Sequence, residues 1–357
     1  ELTHLLRVDT REAAMRMSNL PIFATLKDAC ACIKIEPRDV RRYFTPTNAV
    51  GSSGKRGRGA GRIMRFSDGK GGMCFNWMTG QAALFYYDYN GRKPSREELR
   101  KMKAELRKQR VQYERETAER QQAVSLLAVS ILDATESPAD GHEYLSRKGL
   151  IVEHPWRGLR CISVKRAQDL INRAAIRQED DIGQVLSGSG RLLVIPLTDA
   201  TGAVWSLQFI DEAGRKTFLK GGRKKGLLWC PDGLPFDAGV EGVIGVAEGV
   251  ATAMSVTALY SVPCVAALDA GNLLPAAENL WTRFPDHALA FYADRDQSRV
   301  GEEKAREAAL LMQGRGARCA MYLPPFTAEM DEAFEKATGK LPTDFNDYWI
   351  LWSETNE

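Results

Sequence analysis

The last third of the sequence alternates continuously apolar segments with segments of helical pattern, and this rhythm constrains the fold more than any other feature. The apolar segments are GVIGVA, VPCVAAL, ALAFYAD and ARCAMYLP, and the first three precede helical patterns near residues 250–260, 272–283 and 301–313. Continuous apolar strands that alternate with helices are typical of a parallel sheet covered on both faces. The pattern predicts an α/β domain over residues 241–357, with a mainly parallel four-stranded sheet flanked by helices.

Three carboxylate residues stand where these predicted strands end. Glu248 follows the first strand, and Asp294 and Asp296 follow the third. Because ligands bind at the carboxyl ends of parallel strands, which share one sheet edge, we expect the three side chains to converge there. Converging carboxylates repel each other unless a cation neutralises them, and oxygen ligands of this kind suit Mg²⁺ or Mn²⁺. Asp344 and Asp347, at the start of the last predicted helix, would extend this metal site.

A second pattern precedes this region, within a predicted subdomain at residues 137–240. Grouped apolar residues alternate with the turns Asp-Ala-Thr-Gly and Asp-Glu-Ala-Gly, which predicts an antiparallel strand meander over residues 191–230. The meander ends in RKTFLKGGRKKG, where a dense basic cluster on a glycine-bearing turn favours phosphate binding. The residues predicted to bind nucleotide or phosphate there are Lys216, Lys220, Arg223, Lys224 and Lys225.

Residues 1–92 are predicted to form a small mixed α+β region with a glycine-rich basic stretch at residues 49–72. The stretch is not a Walker A loop, since the Gly-Lys pair at residues 54–55 is followed by arginine rather than Ser or Thr. Two interpretations stay open, a solvated flexible loop and a contact with a nucleic-acid backbone. The second interpretation assigns DNA binding to Lys55, Arg56, Arg58, Arg62 and Arg65.

Residues 93–136 have the pattern of one long charged helix. Pro94 and Ser95 stand at its predicted start, with Glu97 and Glu98 in the first turn, where the helix dipole favours acidic residues. The first half of this helix is polar on nearly every face and net basic. The pattern predicts an exposed connector between the N-terminal region and the rest of the chain.

Composition excludes few classes of partner. The 357 residues carry a net charge of only +3 and are 44% apolar, and no apolar run approaches the ~20 residues that cross a bilayer. The seven cysteines include no CxxC pair, so we expect reduced thiols, a cytoplasmic protein and no zinc site. The chain begins at Glu1 rather than Met, which favours a fragment of a longer protein.

The region from Val243 to Trp349 resembles a Toprim domain, the metal-binding module of bacterial-type primases, topoisomerases and some nucleases. Glu248 matches the glutamate after the family's first strand, and the sequence DRD at residues 294–296 matches its DxD motif. ALDAGNL, which contains Asn272, is similar to the loop after the second strand, and DFND is similar to an acidic segment near the end. The resemblance implies that Asn272 joins the nucleotide-binding set.

The preceding segment resembles bacterial-type DNA primases, particularly those of conjugative plasmids and phages. Lys216, Phe218 and Leu219 match their basic K-x-[FY]-L turn, and the basic cluster at residues 223–225 matches loosely. HEYLSRKGL and NWMTG are similar to segments of the same proteins, so the resemblance covers residues 62–350. The zinc-binding module that many replicative primases carry is missing from this sequence.

The resemblance implies a nucleotidyltransferase that makes short RNA primers on single-stranded DNA during plasmid or phage replication or conjugative transfer. It implies two Mg²⁺ or Mn²⁺ ions held by Glu248, Asp294 and Asp296, with Glu248 as either a metal ligand or an acid/base group. The partners would be template DNA, ribonucleoside triphosphates and a helicase or other replication proteins, with no membrane. A Toprim-type nuclease and a non-catalytic single-stranded DNA-binding module stay open as alternatives.

Overall fold

The computed structural model describes residues 20–38, 45–52, 54–66, 69–87, 96–138, 141–150, 159–174, 189–231, 233, 242–295 and 299–356. The chain divides into two compact units, Glu1–Thr117 and Ala118–Glu357. The predicted Asp296 and the first nineteen residues lie outside the described residues. The predicted four-part division at residues 92, 136 and 240 stays a prediction.

The first unit contains a five-stranded sheet with one short helix packed on it. The strand order is β1-β5-β4-β3-β2, with β1 parallel to β5 and the other neighbours antiparallel. Thr25 caps the helix by accepting a 3.1 Å hydrogen bond from the Asp28 amide, and Cys30 of the helix packs against Ile63 and Phe85 of the sheet. The elements are β1 (Ile22–Phe23), α1 (Leu26–Cys32), β2 (Thr45–Val50), β3 (Arg56–Arg65), β4 (Gly71–Asn76) and β5 (Gln81–Tyr86).

The interpretation of the glycine-rich basic stretch as a flexible loop is wrong for its centre, because residues 56–65 form β3, paired on both sides. Two of the glycines in β3 lie in close packing. A Cβ at Gly57 would come 2.5 Å from Met78 Sδ, and a Cβ at Gly61 would come 2.7 Å from Thr47 Cγ2. The stretch is a strand in which larger side chains at these two positions would collide with neighbours.

One helix, α2 (Arg96–Asp133), contains the boundary between the two units. In its second half, Val124, Leu127, Ala128 and Ile131 are buried at helical spacing and pack on a sheet of the second unit. In the first half, the side chains that the structure describes are exposed. No helix in the described part of the chain is long and apolar enough to span a membrane.

The second unit begins its core with an antiparallel sheet of order β10-β9-β8-β7-β6. Residues 227–230, predicted to continue the meander as a strand, make only isolated bridges, from Leu228 to Thr198 and from Trp229 to Ala266. The elements are β6 (Ser137–Pro138), α3 (Glu143–Arg147), β7 (Arg160–Ser163), α4 (Val164–Arg173), β8 (Arg191–Thr198), β9 (Val204–Asp211) and β10 (Lys216–Phe218).

The second sheet of this unit has four parallel strands in the order β12-β11-β13-β14, which confirms the predicted parallel four-stranded sheet. Each strand is three to five residues long and largely buried, except for the partly exposed β14. The elements are β11 (Val243–Ala247), α5 (Val250–Tyr260), β12 (Cys264–Ala266), α6 (Leu273–Arg283), β13 (Ala288–Tyr292), α7 (Val300–Gly314), β14 (Cys319–Tyr322), α8 (Ala328–Thr338) and α9 (Phe345–Asn356).

Helix α5 joins the two sheets of the second unit into one core. Val250, Met254 and Val256 pack in the same apolar cluster as Ile195 of the antiparallel sheet and Ala290 of the parallel sheet. Because α5 is covered on nearly every side, its sequence VATAMSVTALY shows no polar stripe. This packing sets the start of α5, and with it Glu248, between the two sheets.

Candidate active site

A cavity of about 670 Å³ lies at the carboxyl ends of β11 and β13 in the second unit. Its other walls include α3, the start of β10 and the segment from α8 to the first turns of α9. The acidic residues that line it are Glu248, Asp294, Asp344 and Asp347. The basic residues that line it are Arg147, Lys148, Lys216 and Lys340. Four of the five predicted metal ligands and one predicted phosphate-binding residue therefore share one cavity.

Glu248 stands in the link between β11 and α5. Its main-chain oxygen accepts a 2.8 Å hydrogen bond from the Leu268 amide, which ties the link to the residues after β12. On its side-chain side, a Cβ placed on Gly301 would lie 3.5 Å from Glu248 Oε2. The Glu248 carboxylate thus faces the first turn of α7, the helix that follows the DRD sequence.

Asp294 lies two residues after β13, and its neighbour Arg295 turns toward the C-terminal part of the chain. The Arg295 amide donates a 2.6 Å hydrogen bond to the Thr343 oxygen. This bond brings the residue before Asp344 to the end of β13. The half-buried Asp294 side chain lines the cavity between these two segments.

Asp344 and Asp347 form the beginning of α9. The Asp347 amide donates a 2.8 Å hydrogen bond to Asp344 Oδ1, and the Thr343 amide donates a 2.8 Å hydrogen bond to Asp347 Oδ2. This reciprocal arrangement uses amides at a helix start that have no partner within the helix. Burial raises the pKa of Asp344, and the negative charge of Asp347 raises it further.

Lys216, the first residue of β10, carries a positive charge into the cavity. Its side chain keeps solvent contact, yet the cavity walls displace water from it, and this desolvation lowers the pKa of Lys216 below the ordinary lysine value. The charge of Lys148 lowers the same pKa further, whereas the carboxylates of Asp344, Glu248 and Asp294 raise it. Lys216 therefore lies within electrostatic reach of the acidic residues.

Three of the cavity's basic residues were not predicted from the sequence: Arg147, Lys148 and Lys340. Arg147 and Lys148 end α3, where Gly149 follows with φ +62°, a left-handed conformation that suits glycine. Basic residues in the last turn of a helix are a usual feature of helix ends, so the local pattern carried no functional signal. Their place in the cavity depends on packing of α3 beside α9.

None of the residues 220–225, which form the basic turn and are all described by the structure, lines the cavity. Lys224 pairs with Asp269 and lies 4.5 Å from the Phe218 ring centroid. Arg223 lies over Trp205, with its guanidinium 5.0 Å from the ring centroid. Lys220 and Lys225 are exposed. The turn forms a separate basic surface that aromatic rings support.

Asn272 is buried, and both the nitrogen and the oxygen of its side-chain amide form hydrogen bonds with the main chain. Asn272 Nδ2 donates to the oxygens of Leu227 and Ala267 at 2.8 and 2.7 Å, and Asn272 Oδ1 accepts a 2.7 Å bond from the Gly226 amide. These bonds link the basic turn to the loop after β12. The hydrogen bonds of the Asn272 amide therefore serve the fold, and its role in nucleotide binding stays a prediction.

The predicted DNA-binding residues of the first unit lie on or beside β3. Lys55, Arg56 and Arg58 are exposed, and Arg65 is exposed and donates a 3.0 Å hydrogen bond to the Tyr87 hydroxyl. Arg62 is half-buried, donates to the oxygen of Gly61 at 2.8 Å, and stabilises its own strand.

Three aromatic residues near β3, which are Phe66, Phe75 and Trp77, belong mostly to the core of the first unit. Phe66 and Phe75 are buried, which removes their ring faces from any ligand. Trp77 is half-buried and meets Phe75 edge-on, with ring centroids 4.5 Å apart. On and beside β3, the exposed side chains are therefore basic rather than aromatic.

The donor chemistry of the cavity fits a hard divalent cation, because carboxylate oxygens are its preferred protein ligands. Among the described residues, no three His, Cys, Asp or Glu side chains form a ready metal site. Asp296, a predicted metal ligand, lies outside the described residues. Glu248 and Asp294 are the described carboxylates at the strand ends, and they are the residues that would begin such a site.

Two curated relatives and several solved structures are similar to this chain. Two Escherichia coli proteins, both named DNA primase TraC, are each 34% identical to it over 140 residues, or 37% of the chain. The matched region spans only 13% and 10% of the length of these relatives. The catalytic core of the E. coli primase matches with 15% identity and a TM-score of 0.42, over 61% of this chain and 80% of that one.

A family model matches the C-terminal part of the chain. The model of the Toprim domain matches residues 243–353, from the first residue of β11 into α9. This span contains the whole parallel sheet and every acidic residue that lines the cavity. Residues 243–353 are therefore similar to the Toprim domain family.

Proposed function

We propose that this chain carries the catalytic part of a DNA primase of a mobile element, which synthesises short RNA primers on single-stranded DNA. The observation that carries the proposal is the cavity, which combines strand-end carboxylates with basic residues beside them. The 34% identity to the TraC DNA primases supports this choice among the activities of Toprim proteins.

The reaction joins a 3′-hydroxyl to the α-phosphate of an incoming ribonucleoside triphosphate, with pyrophosphate as the leaving group. Divalent cations, when bound, offset the negative charge that builds on the phosphoryl oxygens. Glu248, Asp294 and Asp296 would hold two Mg²⁺ or Mn²⁺ ions, and Asp344 and Asp347 would extend the ligand set. Glu248 is also suited to accept a proton from the attacking hydroxyl, since its carboxylate lines the cavity.

The basic residues of the cavity have a distinct role. Lys216 and Lys148 would bind the non-bridging oxygens of the triphosphate by charge-assisted hydrogen bonds. Arg147 would bind phosphate oxygens in a bidentate manner, which the planar guanidinium favours. Attraction to the nearby carboxylates keeps Lys216 protonated over a wider pH range than burial alone would allow.

Template DNA would bind to basic surfaces rather than inside the cavity. The exposed Lys55, Arg56, Arg58 and Arg65 of the first unit provide one such surface. The turn at residues 220–225 provides another in the second unit. Both would contact phosphates without reading sequence, so affinity would fall as salt rises.

The biological setting follows from the same similarity. We propose replication or conjugative transfer of a plasmid or phage genome in the cytoplasm, with a helicase or other replication proteins as partners. The matched region is a small part of the TraC primases, so the selection of start sites would involve residues or domains other than this cavity.

A primer-synthesis assay tests the proposal. The chain is incubated with single-stranded DNA, four ribonucleotides, one of them radiolabelled, and Mg²⁺ or Mn²⁺, and products are separated on a denaturing gel. New short labelled RNA that depends on template and metal supports a primase. Shortened template without new RNA would identify a nuclease instead. Template that is bound but neither copied nor cut would identify a DNA-binding module.

A further inference from the structure

We propose that Arg295 is a positioning residue that holds the carboxylate-bearing segment before α9 against the end of β13. The inference deepens the proposed function and rests on it, since it concerns the geometry of the same site. Arg295 directly follows Asp294, and its side-chain contacts point away from the strand, toward residues 326–343.

The guanidinium of Arg295 contacts three separate parts of the C-terminal segment. Arg295 Nη2 donates a 2.5 Å hydrogen bond to Asp331 Oδ1 on α8 and a 3.3 Å hydrogen bond to the oxygen of Pro342. Its charged centre lies 4.6 Å from the ring centroid of Phe326, in the range of a cation–π interaction. Both members of the ion pair are about one-third exposed, at 36% and 29%, so the pair is partly shielded from water.

The main chain of Arg295 adds a fourth contact. Its amide donates a 2.6 Å hydrogen bond to the Thr343 oxygen, while the Thr343 amide donates to Asp347 Oδ2 at 2.8 Å. Thr343 therefore links the end of β13 to the first turn of α9. Asp344, the next residue, is fixed by its own bond to the Asp347 amide.

This chain of contacts connects the acidic residues from two distant parts of the sequence. Asp294 lies on one side of Arg295, and Asp344 and Asp347 lie beyond Thr343. Phe334 and Thr338 of α8 line the same cavity, so the Arg295–Asp331 pair also holds one cavity wall. Loss of the Arg295 side chain would free this wall and let the two sets of carboxylates separate.

Arginine is suited to this task in a way that lysine is not. A planar guanidinium can donate in several fixed directions and stack on an aromatic ring, whereas an ammonium is a compact point charge. Arg295→Lys would keep the charge near Asp331 but lose the combined contact with Pro342 and Phe326. The geometry predicts a graded series of Mn²⁺ affinity. Arg295→Lys should bind Mn²⁺ more weakly than the native chain, and Arg295→Met should bind it more weakly still.

The test compares the full chain with Arg295→Lys, Arg295→Met and Asp331→Asn. Arg315→Met serves as the matched control, because Arg315 also pairs with an acidic residue, Glu278, but does not line the cavity. Far-UV circular dichroism checks that each variant is folded. Hydrogen exchange of the amides at residues 340–347 is measured without metal, and Mn²⁺ binding is then measured by electron paramagnetic resonance.

We expect faster exchange at residues 340–347 in Arg295→Met and in Asp331→Asn, and native exchange in the control. The Mn²⁺ dissociation constant should rise about 10-fold in Arg295→Met, the lower end of the loss seen when a residue that orients metal ligands is removed. Native exchange and native Mn²⁺ affinity in a folded Arg295→Met variant would overturn the positioning role.

Failure of the proposed function would look different. A native chain that binds Mn²⁺ but makes no primer contradicts the primase proposal, while the exchange data still decide the role of Arg295. If exchange rises in Arg295→Met but Mn²⁺ affinity is unchanged, Arg295 stabilises the segment without positioning the carboxylates, and the inference is wrong.

Discussion

The Asn346 side chain donates a 2.8 Å hydrogen bond to the main-chain oxygen of Lys148, a residue 198 positions earlier in the chain. Asn346 is fully buried and also donates a 3.0 Å bond to the Ser255 hydroxyl on α5. Three helices, α3, α5 and α9, therefore meet at one side chain. This contact fixes the basic end of α3 beside the acidic start of α9.

Replacement of Asn346 should destabilise the second unit. Asn346→Ala leaves the buried Ser255 hydroxyl and the half-buried Lys148 oxygen without this donor, and an unsatisfied buried polar group costs about 1–3 kcal/mol. Urea unfolding of the full chain measures the change. Glu354→Ala, an exposed position on the same helix, is the control and should stay within about 0.5 kcal/mol of the native value. Equal stability of the two variants would contradict the bridging role.

Lys216 should give nucleotide binding a distinctive pH dependence. Because its pKa is lowered, the ammonium loses its proton as pH rises toward the ordinary lysine value of ~10.4, and phosphate binding weakens. The nucleotide KM of the native chain should therefore rise with pH. A guanidinium stays charged over this pH range, so the substitution Lys216→Arg should remove the rise.

The companion variant Lys216→Ala should raise the nucleotide KM by at least about 10-fold at neutral pH, since a hydrogen bond to a charged group contributes about 1.5–3 kcal/mol. Steady-state kinetics over a pH series measure both effects. Lys340→Ala tests another basic residue of the same cavity. A flat KM profile in the native chain would remove Lys216 from the phosphate site.

The Asp344 carboxylate should make the native chain less stable at neutral pH than the variant Asp344→Asn. Its pKa is raised in the folded chain, so its contribution to stability is present below the unfolded pKa and is lost as pH rises through the folded pKa. Asp344→Asn removes this loss of stability, because the amide does not ionise. It keeps a side-chain oxygen that can accept the hydrogen bond from the Asp347 amide.

We expect a Tm increase of about 2–4 °C for Asp344→Asn at neutral pH without metal, the shift that ~1 kcal/mol produces in a domain of about 150–250 residues. The two proteins should converge at acid pH, where Asp344 is protonated in both states. Differential scanning calorimetry with EDTA measures the shift. A lower Tm for Asp344→Asn at neutral pH would show that its charge stabilises the fold.

Charge on β3 should govern DNA binding by the first unit. Arg56→Gln and Arg58→Gln should weaken binding of single-stranded DNA, and each should lower the salt slope by ~0.7 if it removes one phosphate contact. Fluorescence anisotropy of labelled oligonucleotides at several salt concentrations measures this slope. Lys27→Gln, an exposed change of equal charge on α1, should leave it native. An unchanged slope in both arginine variants would argue against this surface.

Several features of the C-terminal part could be predicted from the sequence because they depend on local pattern. Continuous apolar runs define the strands of the parallel sheet, and strand ends of such a sheet meet at one edge. Glu248 and Asp294 could therefore be placed at the same sheet edge before any contact was known. The helix start at Asp344 was also visible as a polar segment before an apolar one.

Other features depend on contacts between distant residues, which local pattern does not contain. Pairing with β2 and β4 makes residues 56–65 a strand, although the glycines of this segment favour a loop in the local pattern. Lys224, predicted to bind phosphate, instead forms an ion pair with Asp269, which lies 45 positions later in the chain. The hydrogen bond from Asn346 to the Lys148 oxygen places Lys148, which was not predicted as a site residue, at the cavity.

The central claim is that the strand-end carboxylates perform primer synthesis, and its most direct test is synthesis by Glu248→Gln and Asp294→Asn. Both changes keep side-chain size and remove one charge, and Glu278→Gln, outside the cavity, is the matched control. We expect the two site variants to bind DNA normally and to lose synthesis by on the order of 10²–10³, the cost of removing a group that stabilises developing charge. Native synthesis in either folded site variant would contradict the assignment.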